Sequence, residues 1–336
     1  VVADHSWVYR PLIVRLEIIG GKEMSLGDLN HDDFKSGFIA LIGRPNVGKS
    51  TFINKFIGEK IAITSPIAQT TRNRLKVILT NEKSQIIFVD TPGIHKPHHL
   101  LGERLVQSAK RSIGDVDAVL VIFEASHSPG RGDAFILNLI RNLKIPVIVA
   151  LNKWDLLALS QSKERKKEYL EFLEGTNWPV FCCSALTGQG CNELISEIEE
   201  TLPFGPQLYP SDITCDHPEK FLIAEFIREQ VLINTREEVP HSVAVSIDKI
   251  EDIPSKKKSE QKSRTGILAT ICVEKKSQKG ILIGKGGSML KKIGQESRMQ
   301  IQTLINGNVY LELFVKVVPD WRSKSSRLNE FGYEGS

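Results

Sequence analysis

Only five cysteines occur in 336 residues (Cys182, Cys183, Cys191, Cys215, Cys272), and they form neither CxxC pairs nor His-bearing zinc spacings. A disulfide scaffold and a zinc module are thereby excluded, and an odd, scattered set fits free thiols in a reducing compartment. Nowhere does an apolar run approach the roughly 18–20 residues of a membrane-spanning helix. Net charge is almost absent too: 44 Lys and Arg against 40 Asp and Glu leave +4, which as an average is silent about partners. The remaining composition, 41% hydrophobic and 25% charged, excludes disordered and collagenous classes. At about 100–200 residues per domain, the length predicts two domains.

The chain also lacks an initial methionine: it begins Val1-Val2, and the first methionine is Met24. Residues 1–23 hold a short apolar stretch, Pro11 to Gly20, that Arg15 and Glu17 interrupt. A secretory signal needs an unbroken apolar segment and a small-residue cleavage site, and neither is present. The expectation is that translation begins at Met24 and that residues 1–23 are an over-extended reading frame. A start at Val1 and a processed organellar precursor stay open. Residues 1–36 are therefore set apart as an N-terminal extension.

Regular patterning starts at Phe38. Phe38–Ile42 is a continuous apolar run, as in a strand buried on both faces. It leads into Gly43-Arg44-Pro45-Asn46-Val47-Gly48-Lys49-Ser50, then Thr51 and a helical pattern to Ile57. The G-x-x-x-x-G-K-S spacing lets backbone N–H groups and a helix N-terminus converge on phosphate oxygens. Lys49 is placed to reach the β- and γ-phosphates, and the Ser50 hydroxyl to ligate Mg²⁺. A second buried strand, Ile86–Val89, ends in Asp90-Thr91-Pro92-Gly93. Asp90 suits a direct or water-mediated Mg²⁺ contact, and the Gly93 N–H can meet the γ-phosphate. A third strand, Pro146–Leu151, delivers Asn152-Lys153-Trp154-Asp155. A carboxylate at Asp155 accepts guanine N1–H and N2–H₂, a pairing adenine does not offer. Val180–Cys183 then leads to Ser184-Ala185-Leu186, whose backbone is offered to guanine O6. Leu75–Thr80 and Gln85–Val89 predict an antiparallel hairpin at the sheet edge. The fold class is an α/β P-loop NTPase domain with a mixed, mostly parallel sheet, its ligand residues at strand C-termini.

A Pro/Gly-rich stretch, residues 203–218, reads as a linker that ends the first domain at 202. Phe221, Leu222, Ala224, Ile227, Val231 and Leu232 then recur at helical spacing, and two alternating segments, Val243–Ile247 and Ile267–Val273, read as strands. Next comes Ile283-Gly284-Lys285-Gly286-Gly287 between helical segments, followed by a strand over Val309–Val318. I-G-x-x-G in this order predicts an α+β KH domain of type II over residues 219–336. Its glycines let a sugar–phosphate backbone approach, and Lys285, Lys291 and Lys292 add charge. The partner class is unpaired RNA. Residues 256–298 hold twelve Lys and Arg against three Glu, so this window carries +9 and the remainder −5. A near-neutral total thus conceals a basic patch around the glycine loop, as backbone-dominated RNA binding requires. Lys256, Lys257 and Lys258 read equally as a solvated loop or as part of that footprint. Trp321, Arg322, Arg327, Phe331 and Tyr333 in the tail suit base stacking, but Leu328 and Phe331 at i, i+3 favour packing of a final helix.

The motifs Gly43–Ser50, Gln69–Asn73, Asp90–Gly93, Asn152–Asp155 and Cys183–Ala185, in this order and followed by the glycine loop, resemble the translation-factor-class GTPases. The resemblance is to the Era branch and spans nearly all of residues 37–336. It implies a GTPase that cycles between GTP and GDP with Mg²⁺. Its KH domain would bind single-stranded 16S ribosomal RNA near the 3′ end during 30S biogenesis. By the same resemblance Thr70-Thr71 belongs to the first switch; Thr71 is the preferred Mg²⁺ ligand, and the spacing leaves Thr70 open. Catalytic roles fall to Lys49, Thr71 and Gly93. Ile94 stands where Ras-type GTPases carry a water-orienting Gln, so intrinsic turnover is expected to be slow. Asn46 is associated in relatives with a bound K⁺ that offsets charge on the phosphoryl group, or else simply stabilises its turn. His95, His98 and His99 read as a mobile switch segment rather than a metal site. A monomer in the cytoplasm is expected, with peripheral membrane association and an organellar stroma or matrix left open. The competing reading is an RNA-binding module whose nucleotide site is structural.

Overall fold

A computed structural model describes residues 33–65, 67, 70–93, 100–254 and 264–333. The expectations placed on residues 1–24, Gln69, Ile94, the histidines at 95, 98 and 99, and the lysines at 256–258 lie outside these. The described residues divide into two compact units. The first takes those within 33–62, 71–93 and 105–217, and the second those within 63–70, 100–104 and 218–333.

The first unit is a six-stranded sheet flanked by helices. Its strands are β1 (Lys35–Ile42), β2 (Leu75–Thr80), β3 (Ser84–Asp90), β4 (Ala118–Glu124), β5 (Val147–Asn152) and β6 (Val180–Cys182). They lie in the order β2-β3-β1-β4-β5-β6. Only the β2–β3 pair is antiparallel, the hairpin expected from sequence. Every residue of β3 and β5 is buried, which explains why these strands read as continuous apolar runs rather than alternating ones. The helices are α1 (Lys49–Ile57), α2 (Leu100–Gly114, of which residues from Leu105 on belong to this unit), α3 (Arg131–Ile140), α4 (Leu159–Phe172) and α5 (Cys191–Thr201). Ile136, Leu137 and Ile140 of α3 and Tyr169 of α4 pack with Val119, Val121, Phe123, Val149 and Leu151 of the sheet.

Residues 203–217, read from sequence within a linker, run along this unit. Ser36 N–H donates to the Pro203 carbonyl at 3.1 Å, and Gln85 Oε1 accepts the N–H groups of Leu208 and Tyr209 at 2.8 Å each. Ile78 N–H donates to the Thr214 carbonyl (2.9 Å) and Asp216 N–H to the Lys76 carbonyl (3.1 Å).

The second unit has the order α6 (Glu219–Asn234), β7 (Ala244–Ile253), β8 (Arg264–Val273), α7 (Lys276–Ile283), α8 (Ser288–Ile305), β9 (Asn308–Val317) and α9 (Ser325–Glu330). Its sheet is β7-β8-β9, antiparallel then parallel, the expected KH type II order. Ile223, Phe226, Ile227, Ile271, Ile293 and Ile301 form its core, together with Ile63. The aromatic tail packs inward: Trp321 and Leu328 are fully buried, and Trp321 Nε1 donates to the Ser242 carbonyl at 2.9 Å. All five cysteines are free, and burial lifts the thiols, Cys215 to about 12 and Cys272 to about 11. Among the described residues no helix is long and apolar enough to cross a membrane.

Candidate functional site

The loop from Gly43 to Gly48 turns β1 into α1 and ends in backbone that only glycine fits. Gly48 has φ of 104°, and a Cβ there would stand 2.2 Å from Asn152 Nδ2. That amide sits at the end of β5 and ties three loops together. Asn152 Nδ2 donates to the Val47 carbonyl at 2.7 Å, and its Oδ1 accepts the Ala185 N–H at 2.9 Å. The Ala185 donor that sequence offered to guanine O6 is therefore engaged inside the protein here. Beside it, Ser184 is buried and its Oγ accepts the Thr187 N–H, while Leu186 is exposed. Trp154 N–H donates to the Cys183 carbonyl at 3.1 Å, which sets Asp155 on a single helical turn, exposed next to this loop. Lys153 adopts φ of 62°, and its Nζ lies 2.8 Å from Glu124 Oε1 at the end of β4. Burial pushes the Glu124 carboxyl up, but hydrogen bonds from Lys153 and Ser126 outweigh it and hold the group below its usual range.

The second cluster gathers around Asp90. Ser50 Oγ and Thr71 Oγ1 donate to Asp90 Oδ2 at 3.1 and 3.0 Å, and the two hydroxyls stand 3.1 Å apart. Thr70 does otherwise: its Oγ1 donates to the Ile67 carbonyl at 2.8 Å. The geometry therefore brings Thr71, not Thr70, to Ser50 and Asp90. Asp90 Oδ1 is buried with no hydrogen-bond partner among the described residues. Lys49 lies beside it, 6% exposed, with Nζ 3.4 and 3.3 Å from the carbonyls of Gly43 and Arg44. Burial lowers the Lys49 ammonium, partly offset by the Asp90 charge; burial likewise raises Asp90, against the pull of Lys49 and the two hydroxyls. Two opposite charges are thus buried side by side, each partly satisfied, with Asp90 Oδ1 left without a partner among the described residues.

The remaining loop residues serve this arrangement. Thr91 Oγ1 donates to the Leu41 carbonyl at 2.6 Å and pins the Asp90–Gly93 turn to β1. Gly93 abuts the phosphate loop, since a Cβ there would lie 2.8 Å from Pro45. Asn46 has a left-handed backbone, φ 65°. Lys49 and Ser50 begin α1, with Thr51 and Phe52 completing its first turn, and Pro92 is buried in the Asp90–Gly93 turn. Arg44 Nε donates to Asp133 Oδ1 at 2.7 Å, and Asp133 is fully buried, its Oδ2 accepting the Gly130 N–H. Asp133 was not singled out from sequence, where its only signal is a carboxylate in the first turn of a helix.

In the second unit, Gly284–Gly287 forms a turn between α7 and α8, with Gly286 at φ 60° and ψ 25°. Beside it a groove of about 430 Å³ is lined by Gly287, Leu290, Lys291, Gly294, Gln295, Arg298 and Leu311–Leu313. Lys291 lines it; Lys292, about 100° further round α8, instead stands 3.8 Å from Glu296. Ile283 is partly buried against the core. Lys285 and Gly286 are exposed. Gln295, Arg298 and Glu312 escape a sequence reading because only the fold brings α8 against β9.

Residues 38–153 match the family model described as a 50S ribosome-binding GTPase, and residues 238–322 match the KH domain model. The chain is 52% identical to GTPase Era of Rippkaea orientalis over 303 residues, covering 90% of this chain and 94% of that protein. To GTPase Era of a Nostoc species it is 54% identical, covering 90% of each. Among solved structures it resembles Era in complex with MgGDPNP and nucleotides 1506–1542 of 16S ribosomal RNA. The TM-score is 0.84 at 38% identity, covering 90% of this chain and all of that one. Era of Aquifex aeolicus bound to GDP·AlF₄⁻ gives the same TM-score at 37% identity.

Proposed function

Because this chain belongs to the Era family of GTPases, we propose that it hydrolyses GTP at the Gly43–Thr51 loop, binds the 3′ region of 16S ribosomal RNA at the Gly284–Gly287 loop and acts in 30S subunit biogenesis. The observation that carries the nucleotide half is the convergence of Ser50, Thr71 and a half-unpartnered Asp90 beneath Lys49. Three hard oxygens with a buried lone pair unspent suit Mg²⁺. Ser50 and Thr71 would hold the ion and Asp90 would approach it directly or through water. An ion held by these residues would supply positive charge against the phosphates of the bound nucleotide.

The protein's own groups do the rest. Backbone N–H groups of Asn46 to Ser50 and the start of α1 cradle the phosphates. Lys49 neutralises charge on the β- and γ-oxygens, and its desolvation strengthens that interaction. The Gly93 N–H, held against Pro45, faces the γ-phosphate. Asp155 accepts both guanine donors, and Asn152 keeps its loop registered with the phosphate loop. The oxygens of Asn46 and its neighbours are proposed to admit K⁺ as a further counter-charge. GTP turnover should then be about 10-fold or more faster in K⁺ than in Na⁺; equal rates would remove K⁺ from the mechanism. The working form is proposed as a cytoplasmic monomer.

For the RNA half, the reading is supported by the groove beside Gly284–Gly287, whose lining combines Leu290 and Leu311 with Lys291 and Arg298, apolar and cationic groups suited to bases and phosphates. Crosslinking in cell extract with a GTP analogue, with GDP and without nucleotide tests the whole reading. Recovery of the 3′ end of small-subunit RNA, strongest with the analogue, is expected. Recovery indifferent to nucleotide would instead support an RNA-binding module with a structural nucleotide site.

A further inference from the structure

The end of β4 carries an acid where an anionic ligand has to pass. In the sheet β4 lies between β1, which leads into the phosphate loop, and β5, which leads to Asp155. A nucleotide with its phosphates at Gly43–Ser50 and its guanine at Asp155 therefore crosses the end of β4, whose last residue is Glu124. A carboxylate beside an anion weakens its binding unless the charge is answered. Lys153 answers it, with Nζ 2.8 Å from Glu124 Oε1. Ser126 Oγ donates to the same oxygen at 2.8 Å. The backbone beneath the acid is fixed as well. Tyr169 Oη donates to the Glu124 carbonyl at 2.8 Å, and the Ala125 N–H donates to the Asn152 carbonyl at 2.8 Å.

Glu124 stands opposite Asn152 in the β4–β5 register, and Lys153 follows Asn152 directly. Neighbouring strands are about 4.8 Å apart. A lysine rooted at the end of β5 with its ammonium on Glu124 therefore runs sideways along the end of the sheet instead of out into solvent. Its backbone is left-handed, φ 62°, a conformation that a residue with a side chain keeps where its surroundings fix it. We propose that Glu124 is a positioning residue for the bound nucleoside: by holding the Lys153 ammonium it lays the lysine's methylene stem across the end of β4, an apolar rib against which guanine and ribose rest. Asp155 then reads the edge of the base while Lys153 supports its face. This inference rests on the nucleotide placement proposed above, and its test separates the two.

The measurement is the release rate of fluorescent GDP from the full-length protein, together with the affinities for GDP and IDP and with thermal unfolding. IDP lacks the 2-amino group that Asp155 accepts, so the ratio of the two affinities reports on the base edge alone. E124Q should speed GDP release by about 10-fold and leave the GDP-to-IDP ratio within about 2-fold. Were Glu124 no more than a charge near the phosphates, removing it would slow release instead, because an anion would gain. K153A removes the stem itself and is the reference. E124Q combined with K153A should release GDP no faster than K153A alone, since both remove one support. E124D keeps the charge but loses reach, and should fall between E124Q and the parent. Should E124Q fail to fold, E124D decides. Slower or unchanged release from E124Q overturns the positioning role, and so does a K153A that behaves as the parent. Losses that multiply in the double variant also overturn it, since they mark a general structural defect. D155N tests the placement beneath the proposal: if it keeps the parent's GDP-to-IDP ratio, guanine is not read at Asp155 and that reading fails. If D155N changes the ratio while a folded E124Q or E124D releases GDP at the parent rate, the role of Glu124 alone is overturned.

Discussion

Asp155→Asn is expected to weaken GTP binding by about 10²–10⁴-fold while xanthosine triphosphate becomes the better ligand. The carboxylate offers two acceptors to two guanine donors, each such charged hydrogen bond contributing about 1.5–3 kcal/mol. An asparagine presents one acceptor and one donor, so guanine N2–H₂ meets an N–H₂ instead of an oxygen. Xanthine carries a carbonyl at that position and restores the match. Asp155 is exposed on its turn, and the turn itself is held by Trp154 N–H on the Cys183 carbonyl, so the exchange leaves the scaffold intact. Titration of the variant with both nucleotides decides the matter; unchanged preference for GTP would remove Asp155 from base recognition. Were the nucleotide site merely structural, RNA binding by the variant would be the same with GTP or GDP.

The double variant Lys285→Asp, Gly286→Asp should lose RNA affinity by at least about 100-fold without loss of folding. One positive charge becomes two negative ones where a sugar–phosphate backbone approaches, and like charges set together cost several kcal/mol. The fold tolerates it for local reasons. Lys285 is exposed, and a Cβ at Gly286 would meet nothing within 4 Å. Gly286 has φ of 60°, a left-handed value that Asp adopts more readily than most residues. The left-handed backbone at Gly286 still strains a side chain, so stability should fall by about 1 kcal/mol, too little to unfold the domain. The slope of affinity against salt should fall by about one ion per lost phosphate contact. Filter binding of a single-stranded RNA at several salt concentrations measures both, and unchanged affinity would place the RNA elsewhere.

How far the chain could be read in advance depended on the range of the contacts. The phosphate loop, the Asp90 turn and the guanine loop each consist of neighbouring residues at the end of a buried strand, so spacing carries them. The β2–β3 hairpin and the Gly284–Gly287 turn are legible for the same reason. The choice between Thr70 and Thr71 was not, because both hydroxyls precede the strand equally well and only Asp90, nineteen positions on, separates them. Arg228 and Glu229 sit in α6, whose apolar spacing predicts packing, yet Arg228 donates to the Thr70 carbonyl 158 positions away and Glu229 accepts the Thr64 N–H 165 positions away. Asp133 and Arg44 meet across 89 positions. Lys291 and Lys292 look equivalent in sequence, and only the pitch of α8 turns one to the groove.

Residues 203–217 carry a consequence of their own. By meeting Ile78 N–H and the Lys76 carbonyl, they occupy hydrogen-bonding groups that β2 would otherwise present bare to solvent. The strand at the other end, β6, is only three residues long. Edges so shortened and covered give a second chain little to extend, which works against strand-by-strand polymerisation of the nucleotide-binding unit. The cover also means that backbone pairing along the β2 flank is already taken, so a partner approaching there would be recognised through loops and side chains.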